Sequence, residues 1–181
     1  MVQQDLSSDY SFIFCGEGEL PVLFEMRDNV LLKNKEAGQP QLLIIDIKNE
    51  DYYHFLKSPD FILGVKYLEQ MIAFTIITFN QESLSMFKEE IPLLQQAGDH
   101  VAYVELSLVH ENFRGKGLQK IMLKEVERIL RKRNTKQITA IVSPENIPSR
   151  QSLLKSEFQI IGTFVYHGYD RLKVSKIIEN V

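Results

Sequence analysis

Short apolar runs bounded by turn-forming residues mark strands over 11–15, 61–67, 71–79, 101–109 and 137–142. A different period governs 117–133. There Leu118, Ile121, Met122, Val126, Ile129 and Leu130 fall on one stripe while Lys120, Lys124, Glu127 and Arg131 point elsewhere, which predicts an amphipathic helix. A second helix is expected over 20–33, with Leu23, Met26, Val30 and Leu31 apolar and Gly38 to Pro40 ending the unit. The run 42–47 is apolar but too short to type, 50–57 reads as helical, and Ser58, Pro59 and Asp60 break it. Residues 83–96 predict a helix or helical loop interrupted by Pro92, and 148–155 a short helix after Asn146. The chain then closes as a hairpin, 158–166 and 171–178, around 167–170. Early helices, an antiparallel meander and a strand-helix-strand-helix-strand unit together predict a mixed α/β sheet, mostly antiparallel, with flanking helices.

Composition narrows this picture. Among 181 residues, 44% are hydrophobic and 25% charged, the balance of an ordinary globular chain, most economically one domain over 1–181 with a real core. The first residues carry neither a basic nor an apolar leader region, and no apolar run has bilayer-spanning length, so a cytoplasmic protein without a membrane partner is expected. One cysteine, Cys15, excludes an internal disulfide and a cysteine-rich metal site, and is expected to be a buried or half-buried strand residue. The net charge of −3 conceals an asymmetry: residues 111–136 hold nine Lys or Arg against three Glu, leaving the remainder strongly acidic. The basic segment reads either as a solvated helix C-terminus or as a rim for a multiply phosphorylated ligand. Nucleic acid is not expected, because the whole chain is acidic and no aromatics interleave the basic residues.

Chemistry concentrates where the 101–109 strand runs into the glycine-spaced turn before the long helix. Gly115 and Gly117 let backbone approach a bulky anion, Arg114 can fork two phosphate oxygens, Lys116 adds a point charge, and the helix opening at Leu118 and Gln119 presents free N–H groups. The same residues would also serve an ordinary strand-to-helix turn with a solvated rim. Other chemistries lack their signatures. The four histidines show no metal-ligand spacing, no Gly-x-Ser-x-Gly elbow occurs, and the turn lacks the Gly-Lys-Ser/Thr ending of a nucleotide P-loop.

The run Leu108-Val109-His-Glu-Asn-Phe-Arg114-Gly-Lys-Gly117-Leu-Gln119 resembles the signature of the GNAT superfamily of acyl-CoA-dependent N-acyltransferases. There a central strand precedes (Arg/Gln)-x-x-Gly-x-(Gly/Ala) at a helix start. A second match follows in order: Asn146-Ile-Pro-Ser149, a short helix, then Phe158 and a terminal hairpin. The resemblance covers about 59–178 well and the first 58 residues loosely. It implies that Arg114, Gly115, Lys116, Gly117, Leu118 and Gln119 cradle the pyrophosphate of acetyl-CoA. It further implies that the backbone of Leu108 and Val109 pairs with the pantetheine, the neighbouring strand splaying away after Val109, and that Asn146, with Ser149 nearby, supports that arm. Lys116, Lys120 or Lys155 would meet phosphates. As a plain helix cap, Asn146 needs no ligand.

Two positions depart from the family pattern. Gln119 stands where Gly or Ala is usual, and Leu153 stands where the family offers a tyrosine as acid for the departing thiolate. Ser149, Ser152 and Tyr166 are candidate substitutes; alternatively a thiolate of pKa about 8.5 leaves unaided. For the base, period-two alternation puts Val101, Tyr103, Glu105 and Ser107 on one face of the central strand, where Glu105 alone is ionisable near neutrality. Glu105, with Tyr103 beside it, is therefore assigned to catalysis, as the base or as a carboxylate gripping the substrate amine; the plainer reading is an exposed Glu on a half-solvated sheet face with Tyr103 as its packing neighbour. The expected activity is acetyl transfer from acetyl-CoA to a primary amine by direct attack in a ternary complex, without metal. The alternative is a non-catalytic acyl-CoA-binding or protein-interaction module with this fold. The acceptor, a small-molecule or peptide amine, would meet Tyr52, Tyr53, His54, Phe55, Tyr166 or Tyr169, unless those aromatics fill the core. The terminal strand 172–178 would be an edge open to pairing in a homodimer.

Overall fold

The computed structural model describes residues 9–43, 46–95 and 100–178. Seven strands form one sheet: β1 (Tyr10–Phe14), β2 (Phe61–Tyr67), β3 (Gln70–Thr78), β4 (Val101–Val109), β5 (Gln137–Val142), β6 (Gln159–Tyr166) and β7 (Tyr169–Ile177). Their order is β1-β2-β3-β4-β5-β7-β6, antiparallel throughout except for the central β4–β5 pair. The expected mixed, mostly antiparallel sheet is present, with one correction. The last strand, β7, lies between β5 and β6, so β6 is the free edge and 172–178 is not. The physical reason is burial: β7 buries Arg171, Lys173, Val174 and Ser175 beside β5, whereas no residue of β6 is buried, so β6 takes the outer place.

Helices cover both faces. On one, α4 (Leu118–Lys132) buries Leu118, Met122, Leu123, Val126, Ile129 and Leu130, and α5 (Ile147–Lys155) buries Leu153. Leu123 takes the core place expected of Ile121, which is half-buried. On the other face, α1 (Leu20–Glu36) packs Leu20, Leu23 and Met26 against Phe74, Ile76, Leu106 and Leu108. The α1 entry is fixed by Glu19, whose carboxylate accepts from the Gly16 N–H at 3.0 Å. The remaining helices are shorter than expected. Residues 50–57 yield a 3-10 turn, Asn49–Asp51, and the single-turn α2 (Tyr52–Phe55). Residues 83–96 break into α3 (Gln81–Leu84) and two 3-10 turns, the second opening at Pro92, with Gln96 outside the described residues. Within 42–47 only Leu42, Leu43, Asp46 and Ile47 are described, Leu42 ending a 3-10 turn.

One irregularity positions everything that follows. Along β3–β4 the partners run Ala73 with Val109 to Ile76 with Leu106, then jump to Ile77 with Val104, so Glu105 is an extra residue bulged from β4. Opposed residues share a face, so the jump reverses β4's phase. Val101 and Tyr103 join Leu84 and Phe87, Leu106 and Leu108 join the α1 core on the same side, and Ala102, Val104 and Val109 meet α4. Ser107, opposite Thr75, therefore sits on the α4 face and not beside Tyr103, which corrects the simple alternation.

Candidate active site

The parallel β4–β5 pairing covers only Val101–Val104 and Gln137–Ala140. Beyond it β5 remains bound to β7 through Val142, while β4 continues to Val109 paired only to β3. The strands thus part after Val104, five residues earlier than expected, at the Glu105 bulge. A cavity of about 570 Å³ occupies this opening. It runs from Gln119, Ser149 and Leu153 on the α4–α5 side to Tyr103, Glu105 and Tyr166 on the other.

The mouth on the α4 side is built locally. Gly115 and Gly117 both sit at φ 75°, a left-handed region costing an L-residue about 1–2 kcal/mol. A Cβ at either would meet nothing within 4 Å, so conformation alone requires glycine there. The first α4 hydrogen bond runs from the Ile121 N–H to the Gly117 carbonyl, leaving the N–H groups of 118–120 ahead of the helical ladder. Arg114 stands outside with its Nε donating to the Val109 carbonyl at 3.1 Å, which steers the guanidinium over the turn. Lys116 Nζ rests 4.8 Å from the centre of the Phe113 ring, its exposed ammonium at the same rim. Leu118 is buried and anchors the helix start against Val65, Ile72 and Ala73. The side chains of Leu108 and Val109 are in the two cores, so their backbone edge is what they offer a ligand.

Gln119 does not point outward. Its Nε2 donates to Ser149 Oγ at 3.2 Å and ties α4 to α5 across the opening. Asn146 caps α5 by accepting from the Ser149 N–H at 3.2 Å and donates to the Leu42 carbonyl at 3.3 Å. The cap role open in the sequence is thus filled, and the side chain also lines the cavity. Leu153 faces the cavity with no hydroxyl, Ser149 lines it, and Ser152 does not.

On the far side, Glu105 is half-buried, and desolvation pushes its carboxyl up to about 7. The Ser83 hydroxyl opposes that rise, while the charges of Asp60, Asp46 and Asp51 add to it. One carboxyl oxygen, Oε2, is buried with no partner among the described residues. Tyr103, 7% exposed, has its phenol driven well above 10, chiefly by burial, so it stays neutral. Tyr166 donates to the Asp46 carboxylate, which also contacts His167 Nε2 at 2.9 Å. That bond pushes Tyr166 up to about 12, which makes it a poor acid for a thiolate. Of the six candidate aromatics, Tyr52 and Phe55 are buried in the core, Tyr53 and Tyr169 are exposed, and His54, Phe55 and Tyr166 line the cavity. Asp46, Asp51, Asp60, Glu82 and Ser83 also line it, residues that carry no motif and lie far apart in the chain. Cys15 is buried, its thiol pushed up to about 12 by desolvation, and takes no part. Among the described residues no cluster suited to a metal ion occurs, and no helix is long and apolar enough to cross a membrane.

A family model described as the acetyltransferase (GNAT) family matches residues 26–158. No functionally curated protein matches the sequence. Among solved structures, Arabidopsis thaliana NAA60 in complex with acetyl-CoA superposes with a TM-score of 0.74 at 15% identity, covering 93% of this chain and 99% of that one. The Salmonella typhimurium protein yncA, with its cofactor acetyl-CoA, gives 0.71 at 11% identity over 96% of both chains. A ribosomal-protein alanine N-acetyltransferase of Escherichia coli gives 0.67 at 11% identity, covering 93% of this chain and 94% of that one. Because the family model spans most of the sequence, including the glycine turn and the β4–β5 opening, the chain belongs to the acetyltransferase (GNAT) family.

Proposed function

We propose that the chain, acting as one cytoplasmic domain, transfers acetyl from acetyl-CoA to a primary amine by direct attack across the β4–β5 opening. The observation that carries this reading is the single cavity joining the glycine turn's neighbours Gln119 and Ser149 to Glu105. Arg114 and the N–H groups of 115–119 hold the pyrophosphate, Lys116 adds charge, and the backbone edge of Leu108 and Val109 pairs with the pantetheine. Asn146 and Ser149 border that arm from α5, the Ser149 hydroxyl being free to turn its proton inward.

Glu105 takes the proton from the acceptor ammonium, directly or through water. A carboxyl near 7 is half-ionised at neutral pH, so it is basic enough to accept and present enough to act. Tyr103, neutral and beside it, accepts a hydrogen bond from the same ammonium. No residue need deliver a proton to the thiolate, consistent with Leu153 in the cavity wall. The test is the pH dependence of kcat/KM. An ascending limb near pH 7 is expected, and Glu105→Gln should lower kcat/KM about a hundredfold and abolish that limb while acetyl-CoA affinity is kept. An unchanged rate in Glu105→Gln would remove Glu105 as base.

A further inference from the structure

The acceptor side of the cavity carries more negative charge than one ammonium requires. Asp46, Asp51, Asp60, Glu82 and Glu105 line it, and the only Lys or Arg among the lining residues is Arg171. Arg171 is engaged with backbone instead, donating to the carbonyls of Asp170 and Gln41 at 2.9 Å each. Asp51 accepts from the backbone N–H of Lys48 at 2.8 Å, and Asp46 from the Tyr166 hydroxyl, with His167 Nε2 at 2.9 Å. Such bonds orient a carboxylate without cancelling its charge. Among the described residues no Lys or Arg forms an ion pair with Asp51, Glu82 or Glu105.

A second observation points independently to a ligand. Glu105 lines this part of the cavity, and its Oε2 is buried with no hydrogen-bond partner among the described residues. A buried carboxyl oxygen left unpaired is costly, and a bound amine would satisfy it. The clasp of Tyr166 and His167 onto Asp46 joins the β6–β7 turn to the loop before α2, bounding the cavity on that side and favouring a compact occupant.

We propose that the acceptor is a small linear di- or polyamine, its reacting nitrogen placed at Glu105 and Tyr103 and its second ammonium held by the wall containing Asp51 and Glu82. This rests on the acetyltransferase reading above and names its substrate class. A concave wall of one sign concentrates cations of higher charge, whereas a monoamine leaves carboxylates uncompensated and an amino acid adds another.

The test compares putrescine, butylamine and γ-aminobutyrate with the full chain, by calorimetric binding in saturating CoA and by kcat/KM with acetyl-CoA. Putrescine should surpass butylamine about tenfold in both, γ-aminobutyrate should rank last, and the putrescine advantage should shrink with added salt. In Asp51→Asn/Glu82→Gln the putrescine-to-butylamine ratio should fall to about twofold, since the second charge is then poorly met. Asparagine can still cap Lys48, and Glu82→Gln alone, on exposed α3, serves if the double variant does not fold. Equal use of putrescine and butylamine, a ratio that survives the substitutions, or a peptide amine acetylated faster than putrescine would overturn the proposal. Putrescine bound preferentially but never acetylated would instead overturn the acetyltransferase reading and leave the diamine site standing.

Discussion

On the α4 side of the opening, the groups proposed to meet phosphate come from residues 114–119, and their charge is positive. On the acceptor side, the lining carboxylates and aromatics are drawn from Asp46 to Tyr166, and their charge is negative. The contrast follows from what each side recognises. Pyrophosphate binding needs backbone N–H groups at a helix start, which consecutive residues supply. A cationic acceptor needs several separated carboxylates, which only tertiary folding can gather.

Removing a charge from each side tests the contrast, and stability gives the largest effect. Glu105 titrates near 7 in the folded chain and near 4.5 when unfolded. Its folded pKa is thus raised, so the unfolded chain ionises first and wild-type stability falls as pH climbs from about 4.5 to 7, then levels. Glu105→Gln should therefore be more stable than wild type at pH 8, by on the order of 2–3 kcal/mol, and equal to it near pH 4. Urea melts at both values check this, and a constant difference between the two proteins would refute it. Next, Arg114→Ala should weaken acetyl-CoA binding about tenfold in calorimetry while leaving melting unchanged, because an exposed guanidinium carries no core. Gly117→Ala should cost about 1 kcal/mol of stability through its left-handed backbone alone, read as a lower Tm. Smallest is Gln119→Ala, which loses one half-buried hydrogen bond to Ser149 and should raise KM for acetyl-CoA only a few-fold.

Sequence patterning served the two sides unequally. The glycine turn, α4 and its apolar stripe, and most strands were legible because each depends on neighbours within one turn or one strand. Glu105 was legible as the ionisable residue of the central strand. Its bulge was not, because an extra residue shows only against the register of β3, and so Ser107 was expected on the wrong face. The early parting of β4 and β5 was hidden for the same reason. The position of β7 inside the sheet was hidden because its buried residues include Arg171, Lys173 and Ser175, polar side chains that apolar periodicity assigns to solvent. Asp46, Asp51, Asp60, Glu82 and Ser83 belong to no motif; only the acidic balance outside 111–136 hinted at them. Gln119 looked like a departure from a pattern, and its partner Ser149 lay thirty residues away.

The bulge at Glu105 has one more consequence. Every other residue of β4 from Val101 to Val109 stands opposite a β3 partner or packs in a core, so a change there disturbs the architecture. Position 105 is a spare beat in that rhythm, inserted between two cores and owed to neither. Chemistry at this point can be rewritten without renegotiating the fold, so a library confined to residue 105 should return folded proteins that differ chiefly in what they do to a proton.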